Sequence, residues 1–212
     1  MNKTFLLIPL LLAQPVLGGG RVRPSHGLAK ATDEEVRARA RRGEPDALRA
    51  VADRGLKDME PVLKSFADAP APELPPEDDA KTHAAALARV ARLRIILDHE
   101  RAQEAARMAL AKLGDEALFQ AFVSSASTGD VTSRNAAIAA LGYIGDRKAV
   151  PLLARFLYEK GPYDPRHLNP PTWEAAEGAL ALLLPDVAAE LKANNIGWKR
   201  WWEESHGKTP PR

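Results

Sequence analysis

The chain has no cysteine in its 212 residues, which excludes disulfide bonds, a thiol nucleophile and a lipid-attachment cysteine together. Stability has to come from packing alone. Charge of one sign is also missing: 30 basic against 28 acidic residues leave +2, which does not suggest a nucleic-acid binder with its concentrated positive face. The Arg-rich stretch 21–57 and the acidic stretch 58–79 read as solvated helix faces. The five histidines form no His-x-x-x-His pair, and Glu77-Asp78-Asp79 lacks the alternating ligands and glycine of a calcium loop. Phosphate-cradling glycine loops and a Gly-x-Ser-x-Gly elbow are absent too. The sequence therefore predicts no enzyme, no metal and no cofactor.

Long apolar runs are nearly absent. The exception is Phe5 to Ala13, which follows Lys3 and precedes Gln14-Pro15 and Val16-Leu17-Gly18. A short basic region, an apolar stretch too short to span a bilayer and a small residue at the end read as a secretion signal over 1–18, cut near Gly18. The competing readings are an uncleaved anchor or a buried helix. The expectation is an exported protein, periplasmic or secreted, with no integral span after cleavage.

What the chain does have is repetition. Ala106, Ala109, Leu110 and Leu113 recur as Ala137, Ala140, Leu141 and Ile144, and again as Ala176, Ala179, Leu180 and Leu183. Offsets of three, four and seven put each set on one side of a helix, and recurrence along the chain marks a stacked array. Small alanines allow close helix approach while leucine and isoleucine supply the interlocking bulk. A degenerate copy runs through Ala47, Ala50 and Val51, with Arg54 where the last leucine is expected, and its partner helix would hold Met59 to Phe66.

Punctuation places the other boundaries. Residues 19–31 read as a flexible lead, and Thr32 with Glu35 forms a capping box that starts the first helix of a degenerate repeat over 32–67. Residues 68–80 are a proline-rich acidic linker that no helix crosses. From Lys81 to Leu113 there is neither glycine nor proline, and the stretch reads as two helices broken near Asp98-His99-Glu100. Gly145 suits a left-handed helix end, Asp146 a cap and Pro151 the opening turn of the next helix; Gly114-Asp115 repeats the hinge.

The run from Ala137 to Leu153 closely resembles a HEAT repeat, of the HEAT-like subtype first recognised in phycobilisome lyases. The resemblance covers 100–158 well, 172–193 moderately and 44–67 weakly. It implies an all-α fold, an α-solenoid of antiparallel helix pairs forming a HEAT-like superhelix over 81–206, and a class that mostly mediates protein-protein contacts. It implies no catalytic residues, because the matching positions are packing and turn positions.

Two places stand out as partner-binding candidates. The second and third copies are eight residues further apart than the first and second, and the excess falls in the proline-rich insertion that carries Tyr163, Arg166 and His167. A stiff insertion loses little entropy on binding, and insertions in solenoids often map to the binding face. The second is the stripe Trp198, Trp201 and Trp202 on a final helix, ahead of a tail over 207–212, which Trp173 could join. Its plainest role is an amphipathic cover for the end of the stack; the alternative is a stacking platform for an envelope glycan. The expected function is an exported, non-enzymatic scaffold that holds another protein. A glycan-binding module stands second, and a lyase-like ligand-binding protein or a HEAT-like DNA glycosylase further behind.

Overall fold

The computed structural model describes residues 28–75, 82–159 and 171–207. All regular elements among them are helical: α1 Asp33–Ala40, α2 Pro45–Asp53, α3 Glu60–Ala67, α4 His83–Leu113, α5 Glu116–Thr128, α6 Val131–Ile144, α7 Val150–Phe156, α8 Thr172–Leu183, α9 Pro185–Asn194 and α10 Trp198–His206. Short 3-10 turns at Lys57–Met59 and Arg147–Ala149 lead into α3 and α7. The secretion signal, the lead up to residue 27, the Glu77-Asp78-Asp79 acids and the insertion residues Tyr163, Arg166 and His167 lie outside the described residues.

The fold is an all-α solenoid of stacked helix pairs. Helices α2, α4, α6 and α8 lie side by side as one layer, and α3, α5 and α7 form a second, each packing on the next helix of the first. Helix α1 leans on α2, α9 on α8 and α10 on α7. The repeated apolar positions build the interior. Ala106, Ala109, Ala137, Ala140, Leu141, Ile144, Ala176, Ala179, Leu180 and Leu183 are all buried, and Leu113 is half-buried against the same core. Two apolar clusters result, one over α1 to α4 and one over α5 to α10, with Met108, Ala140 and Tyr143 forming a third, smaller one.

The turn chemistry agrees closely with the sequence. Thr32 and Glu35 complete both halves of the capping box on α1. Gly114 at φ 111° and Gly145 at φ 84° close α4 and α6 in the left-handed region, where a Cβ is strained. Asp115 then caps α5, and Asp146 caps the 3-10 turn that leads into α7. Only the carbonyl of Tyr143, at 3.8 Å, approaches a Cβ built on Gly145. Gly145→Ala is therefore expected to cost about 1 kcal/mol through backbone strain alone, read as a lower melting temperature. In the degenerate copy, Arg54 leaves the apolar seam and ties the end of α2 to α1 and the turn before it, donating to Asp33 Oδ1 at 2.8 Å and to the Leu28 carbonyl at 2.7 Å.

The expected break near Asp98 is not there. Helix α4 runs unbroken for 31 residues, through Asp98, His99 and Glu100. Nothing in the stretch interrupts helical hydrogen bonding, and an exposed run of mixed polarity is no obstacle to a helix whose C-terminal half is anchored. That anchor is the set of buried residues between Ala102 and Ala111, which pack mainly against α2 and α3, with Met108 reaching α6. Gln103 Nε2 and Arg107 Nε add bonds to the carbonyls of Ala69 and Ala67, fixing the chain where it leaves α3.

Candidate functional site: the first-layer face and the tryptophan cap

The outward face of the first layer carries a ladder of equivalent repeat positions. Six residues after the first alanine of each copy stand Asp53 on α2, Lys112 on α4, Tyr143 on α6 and Leu182 on α8. An offset of six turns a side chain away from the repeated apolar positions, and along this edge of the array Tyr143 is buried, Lys112 half-buried, and Asp53 and Leu182 exposed. Lys112 Nζ donates to Asp53 Oδ1 at 2.8 Å and to the Tyr143 carbonyl at 3.1 Å, and sits 4.3 Å from the Tyr143 ring centroid. The Tyr143 hydroxyl donates to the Arg49 carbonyl at 2.8 Å, joining α6 to α2 across α4. Leu182 ends the ladder as an exposed apolar residue.

The electrostatics of this face favour rigidity over chemistry. Burial first, and then the Asp53 charge, push the Tyr143 phenol far above its usual range, so it stays protonated and donating. Lys112 is held between the Asp53 carboxylate and the Tyr143 carbonyl. Beside them, burial raises the Glu104 carboxyl, opposed by the Arg49 and Arg107 charges and reinforced by Glu100. A raised native value means that this group favours the fold most below its ordinary 4.5, and that the contribution is lost as pH rises through the raised value. Glu104→Gln should accordingly raise the melting temperature at about pH 8 and change it little at about pH 4.

At the other end, α10 seals the stack. Trp198 and Trp202 are only 8% and 6% exposed and belong to the apolar cluster of α7 and α8. Trp201 is half-buried and meets Trp198 edge-on at 5.4 Å, and His206 stacks flat on Trp202 at 3.9 Å. Lys199 Nζ lies 4.7 Å from the Tyr158 ring centroid, holding α10 against the end of α7. Trp173 stands apart at the start of α8, 40% exposed. The four indoles thus divide: two are buried in the cap, one lies at its edge and one is on the surface. Glu203 and His206 have the Glu-x-x-His spacing of a metal pair, yet no group of three His, Asp or Glu suited to a metal occurs among the described residues.

The sequence reading missed Asp53, Lys112 and Tyr143. Their signal was the repeat register itself, since one offset from the alanine finds all three.

No curated protein and no solved structure matches the chain. A family model described as HEAT repeats matches residues 90–168, a span holding most of α4, all of α5 to α7 and the copies at Ala106 and Ala137. Over those residues the chain is similar to HEAT repeats, and α2, α3, α8 and α9 extend the same stacking on either side of the match.

Proposed function

We propose that this protein is an exported, non-enzymatic HEAT-type scaffold whose exposed helix surfaces hold another protein. The observation that carries this reading is the Asp53–Lys112–Tyr143 ladder, which locks three successive helices into one preformed face with its polar groups already paired. A preformed face loses little entropy on binding, and HEAT repeats are commonly interaction scaffolds. Kinship with the phycobilisome-lyase subtype rests on Ala137 to Leu153 and belongs to this proposal, as does export, which rests on residues 1–18. The insertion with Tyr163, Arg166 and His167 is the proposed specificity element. No helix among the described residues is long and apolar enough to cross a membrane.

The test is photo-crosslinking in the native envelope, with a reactive residue at position 163 or 182. One partner band captured at both positions, and weakened by Tyr163→Ala with Arg166→Ala, supports the reading. No band at either position overturns it. A mature N-terminus near Gly19, read by mass spectrometry, tests export separately.

Glycan binding is the lesser reading, because only Trp173 and Trp201 offer indole surface for stacking. Indole fluorescence that shifts on adding peptidoglycan fragments would favour it over the scaffold.

A further inference from the structure

Four of the six large apolar residues exposed among the described residues lie on one stretch of α4: Leu87, Val90, Leu93 and Ile95. Between Ala85, which is buried, and the run of buried residues that begins at Ala102, no residue of α4 is buried and most of this stretch stands exposed. A surface stripe of this kind, at 57–62% exposure for the first three, is unusual without something to cover it.

The spacing of the stripe says what shape covers it. Ala86, Val90, Leu93 and Leu97 fall four, three and four residues apart, the a/d register of a coiled-coil seam. With Val90 at a and Leu93 at d, the charged residues at the flanking e and g positions are Arg94, Arg101 and Arg89, all basic. Arg94 and Arg101 share Asp98 at 3.7 and 3.8 Å, with side chains 83% and 52% exposed, so one carboxylate balances two guanidiniums only loosely.

That edge charge rejects a second copy of this chain. In a parallel pair Arg94 would face Arg89 of the other copy, and in an antiparallel pair e faces e and g faces g, so like charges meet in either orientation. A flat anionic membrane fits less well than a helix, since Glu100 continues the seam line at d as a carboxylate and Ile95 lies well round from its centre.

We propose that the N-terminal half of α4 is a docking rail for an amphipathic helix of a partner protein, one with acidic residues at its own e and g positions. The apolar seam supplies the contact area and the arginine edges select the partner's charge and register. This deepens the scaffold reading and rests on it.

The probes are two synthetic peptides of about three heptads, with leucine at a and d and either glutamate or lysine at e and g. The like charges of each peptide keep it from pairing with itself. Binding to the full-length protein is read by fluorescence anisotropy. The glutamate peptide should bind at least about tenfold more tightly than the lysine peptide, and more weakly as salt rises. Arg94→Glu with Arg101→Glu should reverse the preference, which a merely structural role for these arginines would not do. Val90→Asp with Leu93→Asp should abolish binding of both peptides while leaving the melting temperature unchanged, because both side chains are exposed.

Equal binding of the two peptides overturns the proposal. So does binding to vesicles of equal phosphatidylglycerol and phosphatidylcholine with neither peptide bound, or dimerisation that Val90→Asp abolishes. If the peptides fail while crosslinking at positions 163 and 182 still captures a partner, the rail is refuted and the scaffold stands; peptide binding without that capture has the opposite meaning.

Discussion

Gly142→Val is expected to destabilise the protein by about 3 kcal/mol, a fall in melting temperature of roughly 6–12 °C for a chain of this size. Gly142 lies in the last turn of α6 without the left-handed backbone that favours glycine, so its presence needs a reason. The reason is contact. A Cβ built there lies 2.7 Å from Ala179 Cα and 2.9 Å from Ala179 Cβ on α8. The first of those atoms is backbone, so relief requires α6 and α8 to separate, and their separation opens the larger apolar cluster. Gly142→Ala should cost less than valine, because alanine adds a smaller group and regains about 1 kcal/mol of helix propensity. Thermal melting of the two variants beside the parent protein checks both the size and the order.

Leu180→Ala is expected to cost about 2–5 kcal/mol, against no more than about 0.5 kcal/mol for Leu182→Ala two residues away. Leu180 is fully buried between the layers, and truncating it leaves a cavity that close-packed neighbours fill only in part. Leu182 is 40% exposed at the end of the surface ladder and loses mainly solvent-facing methyl groups. Urea titration of the two variants reads the contrast as a shifted midpoint for the first and an unmoved one for the second. Equal losses would mean that α8 has no inward side, and the repeat register would be wrong.

The register was legible because it is written in residue size and spacing. Alanine at zero and three, with leucine at four, dictates both which side of the helix is buried and how closely its neighbour approaches. Turn chemistry was equally legible at Thr32, Gly114 and Gly145, where a single side chain, or the lack of one, decides the local backbone. The length of α4 was not. Asp98-His99-Glu100 looked like a solvated break, but polarity does not end a helix; only backbone incompatibility or a competing cap does, and the stretch has neither. Arg54 misled in another way. A charged residue at a seam position looked like decay of the repeat, and it proved to be a tie to Asp33 and the Leu28 carbonyl.

The candidate surface was only half legible. The tryptophan spacing announced an amphipathic final helix, and its packing places Trp198 and Trp202 inside the cap. The ladder went unseen because Asp53, Lys112 and Tyr143 differ in residue type, and they become one feature only when adjacent helices bring equal offsets together. The arginine-edged rail was hidden for a related reason. Its register lies inside a helix that the sequence divided in two, and a broken helix would have ended the seam at Leu97 without Arg101.

Native-state hydrogen exchange coupled to mass spectrometry tests the central claim, that stacked helix pairs bury the repeated alanine and leucine positions against one another. The account predicts that amides within 102–111, 135–144 and 176–183 are the last to exchange, opening together with global unfolding, while those of 83–97 exchange far sooner. Rapid exchange in 135–144 and 176–183, matching that of 83–97, would contradict it.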